Sequence, residues 1–294
     1  MIYSILTEGF IYAIMVLGVF MSYRVLNFCD MTVDGAFPMG GCILAVSLSM
    51  GIPPVIALTF AFLGGVFAGL FTSLIYTKLR IPDLLAGILT MTMLYSVNLR
   101  IMGNRANLSF LKIKTPFTQI TEFFEEKSFL PPELGILLFV LIFIIFLLVV
   151  LNLFYHTDLG IAMGALGANP QMIISQGVNP QIVRAIGVCL GDGLASLAGA
   201  FASMYSGFAD VGSGTGIIVS GLASLMIGEF IIRSNRIELQ TLRVIIGSII
   251  YRGIMYFGRS YGHVVGLESN DLKFITGVLI IICLIISNGR KKKC

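Results

Sequence analysis

Chemistry in this chain of 294 residues has to come from its reactive side chains, and these are few. The two histidines, His156 and His263, are accompanied by neither an HExxH nor a GxSxG pattern, so no metallohydrolase or serine hydrolase site can be assembled and no catalytic or metal residue is assigned. No GxxxxGK[ST] loop occurs, which removes the usual cradle for nucleotide phosphates. The five cysteines (29, 42, 189, 283 and 294) include no CxxC, and four fall in or beside apolar runs, the pattern of packing thiols. What remains is a set of ionisable and hydroxyl groups in apolar surroundings: Asp30, Thr32 and Asp34 in NFCDMTVDG, Asp192 in LGDGL, Asp210 in GFADVG, Glu229, and Arg252. A charge inside a lipid-spanning segment costs about 2.5–3.5 kcal/mol on insertion scales, so each of these groups calls for a partner or a task. Two readings stand side by side. For a transporter of zwitterions, a carboxylate receives an ammonium while Arg252 or the N-terminus of a broken helix receives a carboxylate. Alternatively Asp30, Asp34 and Asp210 cap helices while Asp192 and Arg252 pair with other polar groups, and this second reading is preferred, with Asp192 facing a translocation path or a subunit seam.

The elements that hold these groups are apolar. Hydrophobic residues make up 57% of the chain, charged residues 12%, and the mean hydropathy is +0.96, which identifies an integral membrane protein. Lipid offers no partner to the backbone, so the spans are helices or a closed barrel, and runs such as LGILLFVLIFIIFLLVVLNLF (134–154) are continuous, not alternating. The expected fold is all-α, a polytopic helix bundle of about nine spans: 2–22, 33–50, 53–78, 83–103, 134–154, 180–206, 216–232, 239–258 and 272–288. The net charge of +4 is concentrated towards a GRKKKC end, while no Lys or Arg precedes Arg24. The positive-inside rule then places the N-terminus outside and the C-terminus in the cytoplasm, with Arg24, Arg80, Arg233 and Arg236 on the cytoplasmic side. Against it, the outer loop 104–133 mixes Arg105, Lys112, Lys114 and Lys127 with Glu122, Glu125, Glu126 and Glu133.

An internal repeat is visible at an offset of 180 residues. NFCDMTVDGAFPMGGCILA (27–45) laid on GFADVGSGTGIIVSGLASL (207–225) superposes Phe28 on Phe208, Asp30 on Asp210 and Gly41 on Gly221. Five crossings separate the segments, and an odd number means opposite orientation, the geometry of an inverted repeat. The whole of 1–294 is expected to form a single transmembrane domain: a first repeat at about 2–103, a linker span 134–154, a cytoplasmic segment 157–178 and a second repeat at about 180–288. Ridges of small residues run along two spans, Ala61, Gly65, Gly69 and Ser73 in one, Gly187, Gly191, Ala195, Gly199 and Ser203 in the other. Such ridges let backbones approach closely in lipid, so both spans are expected at the centre.

The stretch TDLGIAMGALGANPQM (157–172) interrupts this apolar sequence. Thr157 or Asp158 caps a short helix, and Asn169 before Pro170 ends it; NPQ recurs at 179–181, each time as an Asn cap with Pro at the first helical position. A helix lying on the bilayer would carry basic and bulky anchors, but Lys and Arg are absent between 157 and 183. The segment reads as a compact knob offered to another protein.

TDLGIAMGALGANPQMIISQGVNPQIVR resembles the cytoplasmic coupling segment of ABC-transporter permeases of the branched-chain amino acid and ribose class. RVLNFCDMTVDGAFPMGG, TKLRIPDLLAGILTMTMLYSVNLRIMGNRANLSFL and GFADVGSGTGIIVSGLASLMIGE resemble the subgroup of tryptophan or tyrosine import permeases, and the likeness covers nearly the whole chain. The resemblance implies a permease of the vitamin B12-type importer fold that pairs with a second permease copy in the bacterial plasma membrane. Two cytoplasmic ATPase subunits would drive it and an extracellular substrate-binding protein would deliver the cargo. No cofactor is implied in this chain, ATP and Mg belonging to the ATPase, and no nucleic acid is a partner. It further implies that the ATPase grips residues 159–178, with Asp158, Gly160, Ala165, Gly167, Asn169 and Pro170 at the coupling element. Asp192 in GDGLASLAGA departs from the subgroup, where Asn is usual. A second functional class, an ion-coupled secondary transporter, also uses inverted repeats, but it requires a buried acidic cluster, and the sequence places only Asp192 deep in a span.

Overall fold

The computed structural model describes residues 2–261, apart from 112, 114, 128–130, 233 and 235, together with 277, 278 and 281. Eleven helices and one short pair of strands make up that part of the chain. The first eight of the nine apolar stretches are helices; the ninth, 272–288, lies almost wholly outside the described residues. The long helices are α1 (Ile2–Val19, continued by a π-helical turn Phe20–Val25), α3 (Pro54–Lys78), α4 (Asp83–Ile101), α6 (Pro132–Tyr155), α9 (Pro180–Ser206) and α11 (Ile237–Tyr261). Shorter are α2 (Val33–Ser49), α5 (Pro116–Lys127), α7 (Asp158–Ala168), α8 (Pro170–Ser175) and α10 (Ile217–Ile231). Six segments are long and apolar enough to cross a membrane: Ile2–Val25, Pro54–Lys78, Asp83–Ile101, Pro132–Tyr155, Pro180–Ser206 and Val211–Ile231. The chain is thus a polytopic helical bundle.

α9 is the hub, and its sequence explains why. Its small residues face α1, α2 and α3 at backbone contact: a Cβ added at Gly69 of α3 would come within 2.7 Å of the Cys189 Cα, and one at Gly65 would overlap the Asp192 carbonyl. Gly40 of α2 sits against the Ser196 carbonyl in the same way, and Gly18 of α1 against that of Gly191. The Ser196 hydroxyl donates to the Ala61 carbonyl at 2.6 Å, sealing the crossing of α3 and α9. With lipid as apolar as Leu, such close approach is a principal source of helix association.

The expectation that α3 would share the centre with α9 is corrected. Its small residues occupy one face only, and Phe60, Leu63, Phe67, Phe71 and Leu74 on the other are exposed, as suits a lipid-facing or partner-facing side. The second central helix is α1, where Ala13 to Val19 are all buried. α1 packs against α9, α10 and α11, while α9 packs against α1, α2 and α3; α2 also pairs with α3, and α10 with α11.

Opposite ends of α9 carry different furniture. At its N-terminal end, α7 sits against the π-helical turn of α1 and α8 against α7 and α9, and a Cβ at Gly167 would overlap the Val25 carbonyl. At its C-terminal end Gly207 takes a left-handed conformation (φ 78°) that a side chain would strain, and its carbonyl accepts the Phe110 N–H at 3.0 Å. There β1 (Asn107–Ser109) and β2 (Phe208–Asp210) pair antiparallel, Leu108 opposite Ala209. The loop 104–133 therefore contains a strand and the helix α5, whose entry is fixed by Thr115 and Thr118: each hydroxyl accepts the other's N–H, at 3.2 and 2.7 Å.

Candidate functional site

Two regions hold the residues singled out by sequence. The first is the interrupting segment. The Thr157 hydroxyl accepts the Gly160 N–H (3.4 Å) and so caps α7, which runs from Asp158 to Ala168. Asn169, in extended conformation, ends it, and its side chain accepts the Gln171 N–H at 3.0 Å to start α8; Asn179 repeats the device on Gln181 at 2.9 Å to start α9. The two NPQ caps thus turn the chain twice within a few residues.

The expected coupling residues divide between two faces. Gly160 and Gly167 turn inward: a Cβ at Gly160 would overlap the Phe154 carbonyl, and Gly167 lies on Val25. With Met163, Leu166 and Ile173 they seat the segment on the small core formed with Leu26, Phe28, Val183 and Val188. Asp158, Asn169 and Pro170 are exposed, and Ala165 is half-buried. The outward face is apolar: Leu159 is 45% exposed, Ile161 61%, Met172 53% and Ile174 52%. The sequence reading named the glycines as coupling positions without a face; the end of α6 covers Gly160 and the π-helical turn of α1 covers Gly167.

The second region is polar and lies around the break between α1 and α2. Asp30 Oδ1 accepts the Thr32 N–H at 3.0 Å, and the Thr32 and Thr72 hydroxyls bond each other at 2.7 Å, joining α2 to α3. Burial pushes the Asp30 carboxyl up to about 6 against the lowering effect of its Thr32 hydrogen bonds. Asp192 is fully buried within electrostatic reach of Asp30, and the sequence reading that only Asp192 is deep is corrected: the break folds Asp30 inward too, leaving it 2% exposed. Asp34 does not cap its own helix. Its two carboxylate oxygens accept the N–H groups of Gly216 and Ile218, both at 2.8 Å, at the start of α10, which has no other side-chain cap. Beside it a groove of about 220 Å³ opens between α2, α4 and the segment before α10, lined by Tyr95, Asn98, Val211 and Thr215 among others. Asp210 caps the 3₁₀ turn Val211–Gly214 through Gly212 (3.0 Å), the same local bond that Asp30 makes to Thr32.

Arg252 stands apart from both regions. It lies 3.8 Å from Glu8 of α1, with its guanidinium carbon 3.2 Å from the centre of the Tyr12 ring. Sequence reasoning missed a further ion-pair cluster: Glu229 on α10 takes both Arg24 (3.0 Å) and the buried Arg243 of α11 (2.9 Å). The signal was present, since Arg243 interrupts an apolar run four residues after Leu239, but nothing local paired it with Glu229.

The family model described as branched-chain amino acid transport system, permease component, matches residues 1–284. A tyrosine transport system permease protein of Clostridioides difficile (strain R20291) is 38% identical over 287 residues, covering 98% of this chain and 91% of the relative. An uncharacterized protein of Rickettsia prowazekii (strain Madrid E) is 31% identical over 281 residues, 95% of each chain. No solved structure matches the chain.

Proposed function

Because the chain belongs to the family of permease components of branched-chain amino acid transport systems, we propose that it is the translocation subunit of an ABC importer for an aromatic amino acid, with tyrosine as the first candidate cargo. The observation that carries this reading is the near full-length likeness to a relative described as a tyrosine transport permease. In the proposed assembly two copies of this chain form the path, and an extracellular binding protein delivers the cargo. Two cytoplasmic ATPase subunits hydrolyse MgATP, a task for which this chain has no P-loop. The N-terminus lies on the outer side, the C-terminal end expected in the cytoplasm lies outside the described residues, and the described helices α9 to α11 of the second half are an inverted copy of α1 to α3 of the first. The exchange of roles between α1 and α9 supports the inversion, each packing against the other half's second and third helices.

The ATPase docks on α7 and α8. What supports this is the division of faces: Gly160 and Gly167 allow the segment to sit on backbone, so motion of the knob passes directly to α1 and α9, while Leu159, Ile161 and Met172 offer an apolar face next to the exposed Asp158. The groove beside Asp34, with Tyr95, Asn98 and Thr215, is the candidate contact for cargo, whereas Asp34, Arg252 and Asp210, already partnered, serve structure. The test is reconstitution in proteoliposomes with the ATPase and binding protein of the proposed assembly. ATP-dependent uptake of labelled tyrosine, competed by tryptophan and phenylalanine but not by leucine, is the expected result. Uptake competed by leucine alone rejects the aromatic cargo, and uptake driven by an ion gradient without ATP rejects the ABC mechanism.

A further inference from the structure

We infer that Asp30 and Asp192 together hold one monovalent cation, a proton or an alkali-metal ion, where the break between α1 and α2 meets the middle of α9. The two carboxylates are 2% and 0% exposed, and both oxygens of Asp192 and Oδ2 of Asp30 have no hydrogen-bond partner. Buried carboxylates are ordinarily paired, hydrogen-bonded or neutralised, because an uncompensated charge in a low-dielectric interior is strongly unfavourable.

Beyond the Thr32 hydrogen bonds to Asp30, the surrounding elements supply no such compensation. α1 presents Gly18 and Ser22, and the Ser22 hydroxyl is turned back to the Gly18 and Val19 carbonyls. α2 and α3 present Thr32 and Thr72, which bond each other. On α9 the nearest titratable group is the Cys189 thiol, and beyond Cys29 on the break lies a further acid, Asp83 of α4, which accepts the Cys29 N–H at 3.2 Å. Of the basic groups at this end, Arg184 bonds the Tyr76 hydroxyl and lies over its ring, Arg24 pairs with Glu229, and Lys78 and Arg80 are exposed at the end of α3. Among the described residues no basic side chain reaches either carboxylate, and no group of three or more His, Cys, Asp or Glu offers a ligand set for a transition metal.

One unit of positive charge is what the geometry asks for. A proton placed on one carboxylate leaves a carboxylic acid beside a carboxylate, the arrangement that like charges in close quarters adopt. An alkali ion instead takes oxygen ligands, and the adjoining π-helical turn Phe20–Val25 is a local departure of the kind found at functional sites in membrane helices. Either ion ties the break to the hub helix. The site does not depend on which amino acid is carried.

The experiment measures the thermal unfolding midpoint of the full-length permease in lipid nanodiscs, for the wild type, Asp192→Asn and Asp30→Asn. One titration runs from mildly acidic to mildly alkaline pH; the other replaces choline by Na⁺ at constant ionic strength. A group whose pKa is higher in the folded than in the unfolded state stabilises the fold at low pH and loses that stabilisation as pH rises. If the ion is a proton, the wild-type midpoint falls by several degrees with rising pH, ignores Na⁺, and the fall is absent from Asp192→Asn. If it is an alkali ion, Na⁺ raises the wild-type midpoint and not that of the variant. Asp30→Asn makes the same comparison should Asp192→Asn fail to fold. A wild type that is indifferent to both titrations, or that runs parallel to the variants through both, overturns the site.

Discussion

Asp34 is placed in the first turn of α2, yet its carboxylate serves the N-terminus of α10, 182 residues later. Two charge-assisted bonds at 2.8 Å and the favourable field of a helix N-terminus fall on one side chain. Asp34→Ala leaves the Gly216 and Ile218 N–H groups without this acceptor, and losing such bonds costs about 1–3 kcal/mol. The expected outcome is a lower unfolding midpoint in detergent, with Asp34→Asn, which keeps one acceptor oxygen, falling between. Gly40 is the opposite case, where absence of a side chain is the function. Gly40→Leu forces α2 off the Ser196 carbonyl, and overpacking of this kind costs about 1–3 kcal/mol or more, read as loss of folded permease in a size-exclusion profile. How much of this was legible depended on reach. Asp210 capping Gly212 lies within two residues and follows from the sequence; Asp34 on α10 does not, because a cap supplied across the fold leaves no spacing to read.

At the scale of elements, the knob formed by α7 and α8 was the most readable part of the chain, since both of its Asn caps and its Thr cap are local devices. What could not be read was its orientation, which is set by the π-helical turn of α1 and the end of α6. That orientation separates two variants with different expected effects. Ile161→Asp places a charge on the exposed face and leaves the seat untouched, so the permease remains folded and transport-coupled ATP hydrolysis is lost. Gly167→Arg drives a side chain into the Val25 carbonyl, so the seat itself opens and the folded yield drops as well. Equal folded yields for the two variants, compared by thermal shift on the purified permease, argue against this division of faces. Asn169→Ala removes one cap, worth about 1 kcal/mol, and is expected to give partial uncoupling between these extremes. β1 and α5 were hidden for another reason: the loop holding them has mixed charge and short apolar stretches, and a three-residue strand declares itself only through a partner, here β2, about a hundred residues away.

At the scale of the whole molecule, the ridge on α9 announced a hub, while the centrality of α1 was masked by its uniform apolarity, which in a membrane protein describes a lipid-facing helix equally well. The fold then makes a global prediction from local geometry. α7 and α8 lie at the N-terminal end of α9, the β1–β2 pair at its C-terminal end, and α9 is long enough to cross the bilayer at 1.5 Å per residue. The two features must therefore emerge on opposite sides of the membrane. Met172 (53% exposed) and Leu111 (71% exposed) report on the two ends. On a cysteine-free background, Met172→Cys is expected to react with a membrane-impermeant thiol reagent only in inside-out vesicles, and Leu111→Cys only in intact cells. The opposite assignment inverts the topology and removes the cytoplasmic motor from α7, because an ATPase cannot reach a knob that faces outward. Labelling of both from one side contradicts the passage of α9 through the bilayer, and with it the bundle on which the proposed transport mechanism depends.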